Sequence, residues 1–184
     1  MTRSLLFALI CCVPLTGAEH TIELDPARTT ISFTLADVLH TVHGSFKLKR
    51  GSLKFDSATG RASGEIVVDV TSGDSGNGGR DKRMHKEILE SARFPEAVFT
   101  ADHVSGELAS RGESQLDVHG NFQIHGAGHE LTLHFRATVN GGEVTASTGF
   151  VIPYVQWGIK NPSNFLLRVS DKVEMTIKTA GRLQ

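Results

Sequence analysis

The side chains in this sequence that are able to do chemistry are one serine in a suggestive setting and nine histidines. Gly73-Asp74-Ser75-Gly76 has the residue order found around the nucleophile of chymotrypsin-like proteases. Such a serine needs an imidazole as general base and a carboxylate that orients it, both supplied from well upstream in that fold. His20, His40 and His43 are the histidines that precede Ser75, and the stretch holding them is too short for the first part of a double barrel. The four residues therefore read as a flexible turn of turn-forming types, and Ser75 is expected to do no chemistry. The loop Ser72–Gly79 contains no Gly-Lys-Ser/Thr, which excludes a phosphate-cradling P-loop. The closest histidine pairs are His40 with His43 and His125 with His129. Neither lies in a helical pattern, where a four-residue spacing converges two imidazoles on zinc. No metal ligand and no catalytic residue is assigned, and the chain reads as a non-enzyme. A periplasmic hydrolase or metal-dependent stress protein using surface histidines is the alternative.

The elements around these residues are mostly strands. Apolar and polar residues alternate with period two, the pattern of a half-buried strand. Ile31, Phe33 and Leu35 share one face, as do Phe46 and Leu48, and Ile66, Val68 and Val70. Further on, Val118, Gly120, Phe122 and Ile124 alternate with His119, Asn121, Gln123 and His125. Leu131, Leu133, Phe135, Ala137 and Val139 alternate with Thr132, His134, Arg136 and Thr138. Val173, Met175 and Ile177 close the series. Strand parity points His119, His125 and His134 away from the apolar face. Turn residues separate the runs at Asp56–Gly60, Gly126-Ala127-Gly128 and Asn140-Gly141-Gly142, the last a hairpin signal because both central residues of a type I′ turn need positive φ. Arg80–Ser91 breaks the pattern. It lacks Gly and Pro, places Met84, Ile88 and Leu89 on one helical face, leaves Arg83, Lys86 and Glu87 to water, and is closed by Pro95. About eight strands with one apolar face leave a barrel or a sandwich, and the up-and-down hairpin order favours a barrel with one short helix. A barrel of that size is filled by side chains or holds one small ligand.

Composition bounds the partners. The 184 residues carry 19 basic and 20 acidic side chains, a balance that argues against nucleic acid as the partner. Lys47, Lys49, Arg50 and Lys54 form a small basic cluster, read as a solvated outer face, with transient membrane contact during lipid delivery as the sharper alternative. Residues 1–18 read as a cleavable signal peptide: Arg3, the apolar run Leu5–Leu15, then Thr16-Gly17-Ala18. Residues 19–184 are then one domain. Cys11 and Cys12 both lie in the removed segment, so the mature chain has no disulfide or thiolate site. Export without disulfides suits a periplasmic location.

At this point the residues resemble the YceI-like polyisoprenoid-binding family. The similarity rests on Asp25 followed by Thr30-Ile31-Ser32-Phe33; on His40, Gly44-Ser45-Phe46 and Gly51; and on Leu53-Lys54-Phe55-Asp56. It continues through Arg80-Asp81, Phe94-Pro95, Ala97-Val98-Phe99, Gly120-Asn121-Phe122, Gly126 and Trp157–Ser163. The resemblance implies a lipocalin-like extended eight-stranded antiparallel barrel, exported to the periplasm and often dimeric. It implies no catalytic residue and no cofactor other than a non-covalently held isoprenoid lipid, such as a quinone tail or a polyprenyl phosphate. Joined to strand parity, it gives a tunnel lined by Phe33, Leu35, Phe46, Ile66, Val68, Phe99, Phe122, Ile124, Leu133 and Phe135. With no charged group expected to point inward, specificity follows tail length rather than headgroup, and Trp at Val68 or Ala146 is expected to block the tunnel.

Overall fold

A computed structural model describes residues 18–36, 41–163 and 168–184. Residues 1–17, on which the expected signal peptide falls, lie outside them, as does His40. The strands are β1 (Glu19–Leu24), β2 (Thr30–Ala36), β3 (Thr41–Asp56), β4 (Ala62–Ser63), β5 (Glu65–Asp74), β6 (Glu96–Ser105), β7 (Gly112–Ile124), β8 (Ala127–Asn140), β9 (Glu143–Ile152) and β10 (Val173–Leu183). Every pairing is antiparallel, and β9 pairing with β10 closes the order β10-β2-β3-β5-β6-β7-β8-β9 into an eight-stranded barrel. β1 adds no ninth position. It pairs with the far halves of β3 and β10, continuing the line of β2 after a turn at Pro26–Arg28. Pro26 has no N–H for a ladder, and the Asp25 carboxylate accepts the Ala27 N–H instead.

Sequence parity breaks between Leu48 and Gly51, which reads as two strands. The structure keeps one 16-residue strand. Its pairing with β5 shifts register between Ser45 and Lys47 and again between Leu48 and Arg50. At the first shift the extra residues lie on β5; at the second, one extra residue on β3 forms a β-bulge that turns its inward set from even to odd numbers and bends the strand around the barrel. The β7–β8 turn also differs. Ile124 pairs with Ala127, so the two-residue turn is His125-Gly126, both with positive φ, as a type I′ turn requires. His125 is therefore a turn residue and not an outward strand residue. Its ring tilts against Phe94 with centroids 4.5 Å apart.

The helical segment starts two residues earlier than Arg80. Asn77 caps it by accepting the Arg80 N–H at 3.0 Å, and α1 spans Gly78–Arg83. Gly78 and Gly79 hide that start because glycine costs a helix about 1 kcal/mol relative to alanine. Met84–Ile88 then widens into a π turn, with the Leu89 N–H donating to the Met84 carbonyl. The segment ends at Glu90, whose φ of 44° is left-handed, before Pro95 is reached.

Inside, the barrel has two unlike halves. At the end carrying the β8–β9 hairpin, Phe55, Leu116, Val139 and Val144 pack into a closed core. At the other end the inward side chains surround a hollow.

Candidate functional site

The hollow has a volume of about 290 Å³, space for on the order of 10 to 20 methylene-sized groups. All eight barrel positions contribute to its wall. Phe33 and Leu35 come from β2, Phe46 from β3, Ile66 and Val68 from β5, and Phe99 from β6. Phe122 and Ile124 come from β7, and Leu133 from β8. Thus nine of the ten residues picked out by strand parity and resemblance line one cavity. Leu35, Phe46, Ile66, Val68 and Ile124 are half-buried rather than buried, because part of each faces the hollow.

Phe135 does not line it. β8 pairs with β9 only from Arg136 to Asn140, so the two strands part at Phe135. The ring sits half-buried at that seam, beside a shallow outer cleft with Asp117, His134 and Thr148. Parity specifies which side of a strand a residue is on, but not whether the neighbouring strand is still there. Further along β8, described residues of the connection from β9 to β10 pack against the barrel. Trp157 stacks on His129 of β8 at 4.0 Å, nearly parallel, and lies 6.1 Å from Phe122. The same connection sends Tyr154, Ile159, Pro162 and Val169 to the cavity wall, residues that a period-two search cannot find. The Tyr154 hydroxyl donates to the Ser170 carbonyl at 2.6 Å. Burial, helped by nearby Asp171, pushes its pKa up to about 12.

The helical segment closes another side. Met84, Ile88 and Leu89 all face the cavity, while Lys86 and Glu87 are exposed. Arg83, expected in water, is half-buried and lines the cavity together with Arg80 and Ser75. The structure thus corrects two expectations: charged groups do reach this cavity, and the Ser75 loop is a fastened corner instead of a loose turn. The Ser75 hydroxyl bonds to the Asp81 carboxylate, which also accepts the Ser75 N–H at 2.9 Å. Arg80 donates from Nε to the Ser75 hydroxyl and from Nη2 to the Ser75 carbonyl, both at 2.8 Å. The Ser75 hydroxyl bond, above all, holds Asp81 below the ordinary carboxylate pKa. His85 ties the segment down from below, bonding to the Gly73 carbonyl at 2.8 Å and the Ser91 hydroxyl at 2.9 Å. Ser75→Ala is accordingly expected to lose about 1 to 2 kcal/mol, since the hydroxyl bonds to charged groups on both sides. Urea denaturation measures this, and a loss within about 0.5 kcal/mol, typical of surface changes, would contradict it.

The outer face holds the remaining candidates. His119 bonds Asp102 through Nδ1 at 2.7 Å and faces Glu130 through Nε2 at 3.1 Å. His134 bonds Asp117 at 2.7 Å. Asp102, His119 and Glu130 bring one ligand atom each within 4.8 Å of one another across β6, β7 and β8, the nearest arrangement to a metal set among the described residues. The Asp102 hydrogen bond, with both carboxylates adding charge, raises the His119 pKa above 6.5. A raised folded pKa stabilises the fold fully below about 6.5, and that contribution is lost as pH climbs through the folded value. In an NMR titration His119 is expected to titrate above ordinary histidine, and Asp102→Asn to bring it down; unchanged titration in that variant would contradict the pairing. The basic cluster is largely paired: Lys49 with Glu96 at 2.6 Å, Arg50 with Glu65 at 3.4 Å and Lys54 with Glu19 at 2.8 Å. Exposed pairs of this kind contribute little stability, but they spend most of the charge that anionic headgroups would need.

Comparison with known proteins adds the following. The sequence profile of the YceI-like domain matches residues 23–180. A UPF0312 protein of Pseudomonas savastanoi pv. phaseolicola is 30% identical over 138 residues, covering 73% of this chain and 68% of that protein. A UPF0312 protein of Vibrio vulnificus is 28% identical over 131 residues, covering 68% and 67%. Among solved structures, BcnA of Burkholderia cenocepacia superposes with a TM-score of 0.70 at 19% identity, over 85% of this chain and 98% of BcnA. A polyisoprenoid binding domain from Saccharophagus degradans gives 0.66 at 14% identity, over 88% and 97%. At these identities the two structures speak for the fold.

Proposed function

We propose, from the premise that this chain belongs to the YceI-like family, that it is a carrier which holds the tail of an isoprenoid lipid in its barrel. The observation that carries this reading is the half-hollow interior. An eight-stranded barrel of this length has enough side chains to fill itself, as its other half does, yet one end keeps about 290 Å³ open behind an almost wholly apolar wall. A long apolar chain suits such a space better than a compact polar substrate. The binding of polyisoprenoid by the Saccharophagus domain of the same fold supports the ligand class. The signal-like start of the chain supports export to the periplasm, with transfer of a membrane lipid as the task.

Burying a methylene is worth about 0.8 kcal/mol, but ordering a flexible chain offsets much of it. At roughly −0.3 kcal/mol per atom, a tail of about 20 carbons gives about −6 kcal/mol, or micromolar affinity to within a factor of some tens. Affinity of prenyl alcohols is expected to rise with tail length until the hollow is full and then level off. Tail-independent binding, or no binding by the folded delipidated protein, would refute the reading. Mass spectra of the protein recovered from the periplasm test the rest: a bound isoprenoid under native conditions and a chain starting at Glu19 after denaturation.

A further inference from the structure

We propose that the outer face of the barrel binds a zinc ion between His119 of β7 and Glu130 of β8, with Asp102 of β6 holding the imidazole in position. The site lies outside the cavity and stands apart from the carrier reading. Helical spacing is one way to converge ligands, and neighbouring strands are another. Asp102 is the extra residue of the β6 bulge: Ala101 pairs with Gly120 and His103 with His119, which leaves Asp102 without a partner of its own. A bulge re-aims a side chain, and this one sets the Asp102 carboxylate 2.7 Å from His119 Nδ1. On the other side, Glu130 lies diagonal to His119, opposite Asn121.

An ionised carboxylate only accepts, so Nδ1 carries the proton and the neutral ring keeps its lone pair on Nε2. Glu130 Oε2 stands 3.1 Å from that nitrogen. A lone pair and a carboxylate oxygen so close repel each other unless a cation lies between them. Among the described residues, the ion pairs of Asp102 and Glu130 are with His119 alone. A proton on the ring is one way to supply the cation, and a metal is the other. Two ligand atoms at this spacing, each about 2.1 Å from a zinc ion, subtend about 95° at the metal, which falls between octahedral and tetrahedral angles. A carboxylate behind a metal-bound imidazole fixes its tautomer and raises its basicity, the place Asp102 already holds. Each of the three residues brings one ligand atom within 4.8 Å of the others. Imidazole with carboxylate suits zinc and its first-row neighbours, whereas magnesium keeps an all-oxygen octahedron. The three side chains are 40 to 72% exposed, which opens a path for the ion and leaves water to fill its remaining positions.

Calorimetric titration of zinc into the untagged protein, at about pH 8 where a proton competes least for the ring, is the test. One ion is expected to bind with a Kd below about 100 µM, and the melting temperature to rise with added zinc. His119→Gln and Glu130→Gln should each weaken binding at least about tenfold, and Asp102→Ala by about ten- to a hundredfold, the usual effect of losing the partner behind a metal-bound histidine. His134→Gln, which alters the neighbouring pair with Asp117, should leave binding unchanged. In a nitrogen NMR spectrum of the wild type, zinc should move the His119 Nε2 signal and not those of His134; this decides the matter if Asp102→Ala disturbs the bulge. No saturable binding, equal affinity for magnesium, full affinity in Glu130→Gln, or a loss in His134→Gln as large as in His119→Gln overturns the site. Geranylgeraniol binding should be indifferent to zinc and to His119→Gln, so a wild-type protein that takes zinc but no tail overturns the carrier reading and leaves the metal site standing.

Discussion

Val68→Trp abolishes tail binding in a barrel that still folds. Val68 lies at mid-length of β5, paired with Leu48 of β3 and Ala97 of β6, with part of its side chain facing the hollow. An indole there takes up space that about four or five methylenes of a tail would occupy. At about 0.8 kcal/mol each, the lost burial is some 3 to 4 kcal/mol, a fall in affinity of at least about a hundredfold. The fold survives because the new side chain enters empty volume, with overpacking at the strand costing about 1 to 3 kcal/mol. Geranylgeraniol titration checks binding and circular dichroism checks the barrel; wild-type affinity in a folded Val68→Trp protein would show that the tail sits elsewhere. Ala146, the other position from which parity suggests a block, does not line the cavity. It faces Ala137 and Thr179, both buried, so Trp there strains the solid half of the barrel instead of closing the hollow one.

Gly120→Val, in contrast, removes the fold. Gly120 is buried on β7, and a Cβ at this position would stand 2.2 Å from the Thr100 carbonyl oxygen and 3.0 Å from the Ala101 Cα of β6. These are backbone atoms, so no rotamer change relieves the contact. β6 comes this close because its register with β7 shifts between Ala101 and His103, where a bulge presses the strand onto its neighbour. Opening the gap means breaking β6–β7 ladder bonds in the middle of the barrel, and the loss should exceed about 3 kcal/mol. Even Gly120→Ala carries the same Cβ. Urea denaturation of the alanine variant is the measurement, and wild-type stability there would show that β6 yields freely.

Much of the site was legible because a barrel strand leaves little freedom. Period-two alternation placed nine lining residues on the correct face, since successive side chains must point to opposite sides. The same rule misplaced Phe135, whose side was right but whose neighbouring strand had departed, and His125, which belongs to the turn. The parity break at Lys49 suggested two strands because a bulge and a strand end look alike along one chain. Ser75 read as a residue of a loose turn, and its partners Arg80 and Asp81 could be found only once β5 and α1 were docked.

What the sequence by itself determined is therefore the closed all-β architecture, the inward set of residues and the family, all of them written in local alternation, turn chemistry and the order of short motifs. The tertiary structure alone decided that one half of the barrel is solid and the other hollow. It also decided that Tyr154, Ile159 and Val169 from the connection between β9 and β10 join the cavity wall, and that two arginines reach an otherwise apolar wall. Those properties depend on how far facing strands stand apart and on which distant segments meet. Distances between strands are set by bulges, close glycine contacts and packing around the whole barrel, quantities to which no single stretch of sequence has access.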